Sequence, residues 1–352
     1  VRPLLLTMSW PMMLSMLVQA LYNMVDSMFV AQLNNDAFVA LSLAFPVQSL
    51  ITAIQAGTGV GVNTMLSRRL GQRRPEEASS VACHGYFLYF LCWVVFLTLG
   101  TLFARPFLEL YSDVPRVIEY GVTYLRIVVL FSLGSCMQFA AERVLQASGN
   151  SIGPMVIQGV GAIVNLILVP ILIFGLLGFP RLEVAGAAIA TGLGQMVGMI
   201  IGLVMVGRSS IVHVSFRGFR PRRAIVADIY RIGLPAIAMQ SLFTIMPLGT
   251  NKILALFSDT GVFIMGAYFK VQSFVFMPIF GMNNGLTPIV SYNYGAKRPD
   301  RIREAIHFAL WIGGDILLLG TAVFLLFPGA LLGFFDADAA TLAAGIPALR
   351  IL

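Results

Sequence analysis

Tyr22 and Asp26 stand four residues apart inside a run that is otherwise almost wholly apolar. On a helix that spacing places phenol and carboxyl on one face. A charged side chain at the centre of a bilayer costs roughly 2.5 to 3.5 kcal/mol on insertion scales, so an acid in such a run is a candidate for handling cations or protons. Apolar surroundings favour the neutral form of a carboxyl, and an Asp there can load and release a proton close to neutral pH. The other reading is an Asp near the outer end of its helix, solvated or paired locally. Asp315 and Lys270 are a further acid and base within apolar runs; with Gln48 and Gln272 they are the candidates for lining a lumen or substrate path. A structural role is the competing reading for all four, and for the glutamines it is hydrogen bonding between helices. Pro11 removes one backbone hydrogen bond upstream of Asp26 and offers a hinge, although many membrane helices carry a proline without moving. Met239, Phe243, Met246, Phe276, Met277, Phe280 and Met282 supply either adaptable apolar surface for a drug or plain lipid-facing side chains. The adjacent Glu142 and Arg143 read as a local ion pair near a span end.

The elements that must position these groups belong in a membrane. Of 352 residues, 58% are hydrophobic and 11% charged, against roughly 45 to 50% and about 25% in soluble domains. The mean hydropathy is +0.86, which excludes a soluble enzyme. Cys83, Cys92 and Cys136 all lie in apolar runs, so no disulfide framework or Cys/His metal spacing is available. Nine spans are expected near 4–30, 38–65, 80–104, 121–142, 153–178, 184–206, 232–257, 262–290 and 305–327, followed by the start of a tenth. They are long and lack alternating polar residues, which favours an all-α polytopic bundle over a barrel. The first span has no cleavable-signal pattern.

The net charge of +7 follows from topology rather than from nucleic acid. Sixteen of the 23 Lys and Arg fall at the N-terminus or in alternate connections: Arg2, Arg68 to Arg74, Arg143, the linker 207–231, and Lys297 to Arg303. Asp36, Asp113, Asp259, Asp336 and Asp338 fall on the opposite side. By the positive-inside rule the N-terminus and the linker are cytoplasmic, in a multi-pass protein of the cytoplasmic (inner) membrane.

Sliding the chain against itself by 224 residues aligns it without gaps. Pro11 meets Pro235; Phe45, Val47, Gln48 and Ser49 meet Phe269, Val271, Gln272 and Ser273; Gly57, Gly61, Ser67 and Gly71 meet Gly281, Gly285, Ser291 and Gly295. Positions 45–75 hold about ten identities. Each repeat has six spans, an even number, so both halves share one orientation, as in transporters whose substrate path runs between two lobes. The expected organisation is an N-lobe over 1–206, a basic cytoplasmic linker over 207–231 and a partial C-lobe over 232–352, with roughly 80 residues of the second repeat still to come by the arithmetic of the offset.

These residues together carry a family resemblance. Tyr22, Asp26, Phe29 and Val30 in span one, Ser67 to Gly71 after span two, Asn165 with Pro170 in span five, Gly186 to Thr191 in span six, and Tyr292 to Lys297 after span eight resemble the multidrug and toxic compound extrusion (MATE) transporters, in particular their MepA-type bacterial branch. The resemblance covers the whole chain. It implies a MATE-like two-lobe bundle of parallel six-helix repeats, with a first helix that bends when a cation binds the N-lobe. The activity it implies is export of lipophilic, cationic compounds by alternating access, in exchange for inward H+ or Na+. It also implies a cation-coupling set of Tyr22, Asp26, Asn165 and Thr191. The family's second acid in span five is here Val169, which favours H+ over Na+ because one carboxylate suffices for a proton. A Val169→Asp exchange is then expected to supply an oxygen ligand that a Na+ site lacks. The C-lobe acid of span seven is absent between Pro235 and Phe257.

No phosphate-binding loop, HExxH or nucleophile constellation is present, so no catalytic residues, metal site or cofactor are expected. The partners expected are lipophilic cations and membrane lipid, with no nucleic acid, for a monomer. The alternative is a flippase of the wider superfamily for lipid-linked precursors or polysaccharides; scarce intramembrane Lys and Arg argue against it.

Overall fold

The computed structural model describes residues 1–32, 35–254, 256–257, 259–333 and 339–351, with side chains left out at 23, 26, 27, 30, 31, 35, 38, 248, 259, 262, 339 and 340. Among the described residues all regular structure is helical. In a bilayer each backbone N–H and C=O must be satisfied within the protein, and a helix does so within its own segment. Among the described residues nine helices are long and apolar enough to cross a membrane: α1 (Arg2–Ala31), α2 (Asn35–Gly71), α3 (Pro75–Glu109), α4 (Pro115–Ala147), α5 (Ile152–Phe174), α6 (Glu183–Gly207), α7 (Arg223–Leu254), α8 (Asp259–Gly295) and α9 (Pro299–Leu326). A single 3-10 turn (Leu176–Gly178) follows α5, and two short helices follow α9, α10 (Pro328–Gly333) and α11 (Ala339–Ile351).

Most of these helices overrun the expected spans. At 37 residues each, α2 and α8 reach about 55 Å at 1.5 Å per residue, whereas the hydrocarbon layer is about 30 Å thick. Their ends therefore project, carrying Arg68 and Arg69 in one case and Tyr292 and Asn293 in the other. The same overrun removes Arg143 from the connection where the charge count placed it: α4 continues to Ala147 and Arg143 is only 5% exposed.

The 224-residue offset is reproduced in the backbone. The ends of α2 shifted by 224 are the ends of α8, and Pro75, the first residue of α3, becomes Pro299, the first of α9. Arg73 and Lys297, equivalent positions, both adopt the left-handed conformation, with φ 58° and 55°. The bonds that close the two turns also correspond: Arg73 N–H donates to Leu70 O (2.9 Å) as Lys297 does to Tyr294 O (3.2 Å), and Arg74 to Arg69 O (3.0 Å) as Arg298 does to Asn293 O (2.9 Å).

Around a central α4, the first repeat packs α2, α3 and α6, while α5 lies between α6 and α1. The repeats meet where α1 packs on α8, α2 on α7, and α2 on α8. Glycine permits that approach. A methyl group on Gly71 would overlap the carbonyl of Tyr292, and one on Gly295 would overlap that of Arg68, the repeat equivalent of Tyr292. Gly281 lies against Met13, while Gly57 lies against Ile237, again equivalent partners. The Arg68 guanidinium sits 5.1 Å over the Tyr294 ring across the same seam. The Gly71, Gly295 and Arg68 contacts fall at the end of the bundle that carries the basic connections, and the Gly57 and Gly281 contacts lie about 20 Å further along α2 and α8, near their middles.

The linker is docked rather than loose. His84 Nδ1 lies 2.7 Å from Ser80 O, which only accepts, so Nε2 is the acceptor for the Arg222 N–H at 2.8 Å. Phe219 packs edge-on against the His84 ring at 4.9 Å. His213 N–H donates to Ser79 Oγ (3.1 Å), and Val212 is fully buried.

Candidate functional site

A cavity of about 60 Å³ opens inside the first repeat, between α1, α4, α5 and α6. Gln19 and Tyr22 line it from α1, Ser135, Gln138 and Phe139 from α4, Gln158, Gly161, Ala162 and Asn165 from α5, and Thr191, Gly194 and Gln195 from α6. Its wall is rich in amides, hydroxyls and a phenol. That volume admits a few waters or a cation with part of its hydration shell, and is far below the 300 Å³ or so that encloses an organic ligand.

Three of the four residues proposed for cation coupling, Tyr22, Asn165 and Thr191, line this cavity. Asn165 Nδ2 donates to Thr191 Oγ1 at 2.9 Å, and Thr191 donates onward to Ala187 O at 3.1 Å. With its NH2 engaged by Thr191, Asn165 keeps its side-chain oxygen as an acceptor, and no hydrogen bond to it is found among the described residues. Asp26 follows Tyr22 by one turn of α1, but its side chain lies outside the described residues. Among the described residues no group of three His, Cys, Asp or Glu converges as a metal site would require.

Val169 does not line the cavity. It is 1% exposed and packs with Leu172, Ile173, Ala187 and Ala190. The expectation that Val169→Asp completes a Na+ site therefore changes: the new carboxylate would enter an apolar cluster without a partner. The variant is expected to lose stability by about 3 kcal/mol or more, read as a lowered thermal unfolding midpoint in detergent, with no gain in Na+ dependence.

The remaining path candidates separate. Gln48 Nε2 donates to Tyr124 OH at 3.0 Å, tying α2 to α4, whereas Gln272 Nε2 donates to Tyr268 OH within α8 at 3.0 Å. Lys270 and Asp315 are both exposed, on α8 and α9. Pro11 is buried within a continuous α1. Of the apolar set, Phe243 and Phe280 form an edge-to-face pair at 5.8 Å, while Met282 is buried with Leu5, Met8 and Ile289 and offers no surface.

Below the cavity, toward the basic connections, lies a group whose setting differs from its sequence reading. Glu142 is fully buried, and its oxygens accept hydrogen bonds from Gln138 Nε2 (2.9 Å) and Gln158 Nε2 (3.0 Å). Gln158 Oε1 in turn accepts from Ser15 Oγ on α1. Arg143 forms no ion pair with it. Neighbours on a helix point about 100° apart, and the Arg143 guanidinium turns to Gln146 Oε1 (2.8 Å) and, across the seam, to Asn284 Oδ1 of α8 (3.3 Å). The signal for this setting was the i, i+4 spacing of Gln138 and Glu142, hidden by ending the fourth span at 142.

Parallel helical repeats, the first of which encloses a polar cavity, define a polytopic membrane protein of the transporter class. The chain belongs to the MatE family, which matches residues 11–171 and 235–352, two segments that begin at the equivalent Pro11 and Pro235. Members of that family are transporters, not enzymes. The chain is 28% identical over 317 residues to the FAD transporter of Shewanella oneidensis, covering 87% of this chain and 68% of that protein. It is 26% identical over 302 residues to the multidrug export protein MepA of Staphylococcus haemolyticus, covering 85% and 65%. It thus spans about two thirds of the length of these curated relatives. A solved outward-facing MATE multidrug resistance transporter of the MOP superfamily superposes with a TM-score of 0.92 at 28% identity, covering 99% of this chain and 77% of that one.

Proposed function

We propose that the protein exports lipophilic, cationic compounds from the cell in exchange for H+, in preference to Na+, by alternating access between its two repeats. The observation that carries this reading is the small cavity of Tyr22, Asn165 and Thr191. It suits a proton with its waters rather than an organic substrate, which must then travel between the repeats. The described part of its wall offers amide, hydroxyl and phenol oxygens but no carboxylate, and with Val169 in an apolar setting little negative charge is left to balance a bare Na+. The relative named as a multidrug exporter supports the substrate class. The relative named as a FAD transporter supports a second reading, export of a flavin nucleotide.

Everted vesicles carrying the full-length protein test both. Dye uptake driven by an imposed pH gradient, and not by a Na+ gradient, is the expected result; flavin uptake without dye uptake would favour the second reading. The proposed topology puts the N-terminus and the linker in the cytoplasm. With Cys83, Cys92 and Cys136 replaced, a cysteine at Asp259 is expected to react with an impermeant reagent in intact cells, and one at Arg220 is not. The opposite pattern reverses the orientation.

A further inference from the structure

We propose that Glu142 is a second proton-binding carboxyl of the first repeat, and that its protonation state is passed to α1 through Gln158 and Ser15. The inference rests on the proposed H+ coupling and adds a site to it.

Glu142 lies in α4 with no exposed surface and no cationic partner within 4 Å among the described residues. Two primary amides, those of Gln138 and Gln158, hold its oxygens, and both amides also line the polar cavity. A buried carboxylate held only by neutral donors is costly, and protonation relieves the cost. An amide is the partner that serves both states: its NH2 donates to a carboxylate, and after a flip its oxygen accepts from a carboxylic acid O–H. Few other charges face the site. Arg143, next in sequence, hydrogen-bonds to Gln146 and Asn284 but still acts on Glu142 through its charge, favouring the carboxylate, and Tyr89 from α3 is close enough to feel both Glu142 and Arg143. Cys92 and Cys136 face Tyr89 from α3 and α4. From α2, Gln55 faces Ser135 and Cys136. α5 has no charged residue, and the one in α6, Glu183, begins the helix at its far end.

The connection to α1 distinguishes this group from an inert buried acid. In the present state Gln158 donates to Glu142 and accepts from Ser15 Oγ. When Glu142 takes up a proton and Gln158 turns to accept it, the amide presents NH2 to Ser15 and the bond to α1 must break or reverse. Ser15 lies one turn after Pro11 and two residues after Met13, which lies against Gly281 of α8 in the second repeat, while Ser15 itself bonds to α5. A proton on Glu142 thereby changes how α1 is held between the repeats.

The test uses the full-length transporter in lipid, with infrared difference spectra taken across a pH titration and with pH-gradient-driven dye efflux. Glu142→Gln is expected to remove a carboxylic acid C=O band seen in the wild type at low pH. It should also lower efflux about tenfold or more, within the range of a coupling of 1–3 kcal/mol, with dye affinity unchanged. Glu142→Asp should restore the band at a shifted frequency. Ser15→Ala should keep the band while flattening the pH profile of efflux, which covers the case of a poorly folding Glu142→Gln. A band that persists in Glu142→Gln overturns the proposal. So does loss of the band with an unaltered pH profile, since the proton would bind without coupling. If the wild type shows no pH-driven efflux, H+ coupling itself fails, and the band alone then decides whether Glu142 binds a proton.

Discussion

Gly71→Val is expected to leave the protein folded and inserted, but held open at the end that carries the basic connections, and almost inactive in transport. A side chain at Gly71 collides with the backbone of Tyr292 and approaches the Ala296 nitrogen. Backbone cannot rotate away as a flexible side chain does, so relief requires the repeats to part. Overpacking of this kind costs about 1–3 kcal/mol, enough to move an equilibrium between open and closed ends by about 5- to 150-fold. The measurement is the reactivity of a cysteine at Asn284, which should rise in the Gly71→Val background. Gly314→Val, at a glycine with open space around it, should change neither labelling nor transport. Unaltered labelling in Gly71→Val would show that the seam is not a gate.

Asp26→Asn carries the second large effect. The amide keeps the shape of the carboxyl and mimics its neutral form, so the variant should insert and bind dye normally while losing pH-driven efflux. The same vesicles measure it against the wild type, with a Na+ gradient as the control. Retained pH-driven efflux in well-expressed Asp26→Asn protein would move the coupling away from α1, with Glu142 and Asp315 the next acids to examine.

Much of the architecture was legible because it rests on long-range regularity. Hydropathy placed the nine spans, and the gapless offset anticipated a backbone that repeats down to the left-handed residue at Arg73 and Lys297. What stayed hidden depended on direction around a helix. Glu142 and Arg143 are neighbours in the sequence, yet one turns to two glutamines inside its own repeat and the other to Asn284 across the seam. Val169 and Asn165 lie one turn apart, yet only Asn165 reaches the cavity. The linker reads as a basic tether, and nothing in its composition announces that His84 holds it by one backbone N–H.

The seating of α1 and α7 has a mechanical consequence. The N-terminal ammonium and Arg2 contact Glu304 of α9, and Ser9 and Met13 lie against Gly285 and Gly281 of α8, while Ser15 reaches Gln158 of α5. Conversely Ile229, Gly233 and Ile237 of α7 lie against Gly61 and Gly57 of α2. The foot of each repeat's first helix is thus planted on the other repeat, like the crossed legs of a folding stool. If the repeats are to part at that end, each planted helix must either slide off its neighbour or flex along its length. Pro11 and Pro235, equivalent residues without a backbone N–H, stand within those planted stretches, Pro11 between Ser9 and Met13 and Pro235 between Gly233 and Ile237, so the duplication places a matched pair of hinge candidates where each repeat bears on the other.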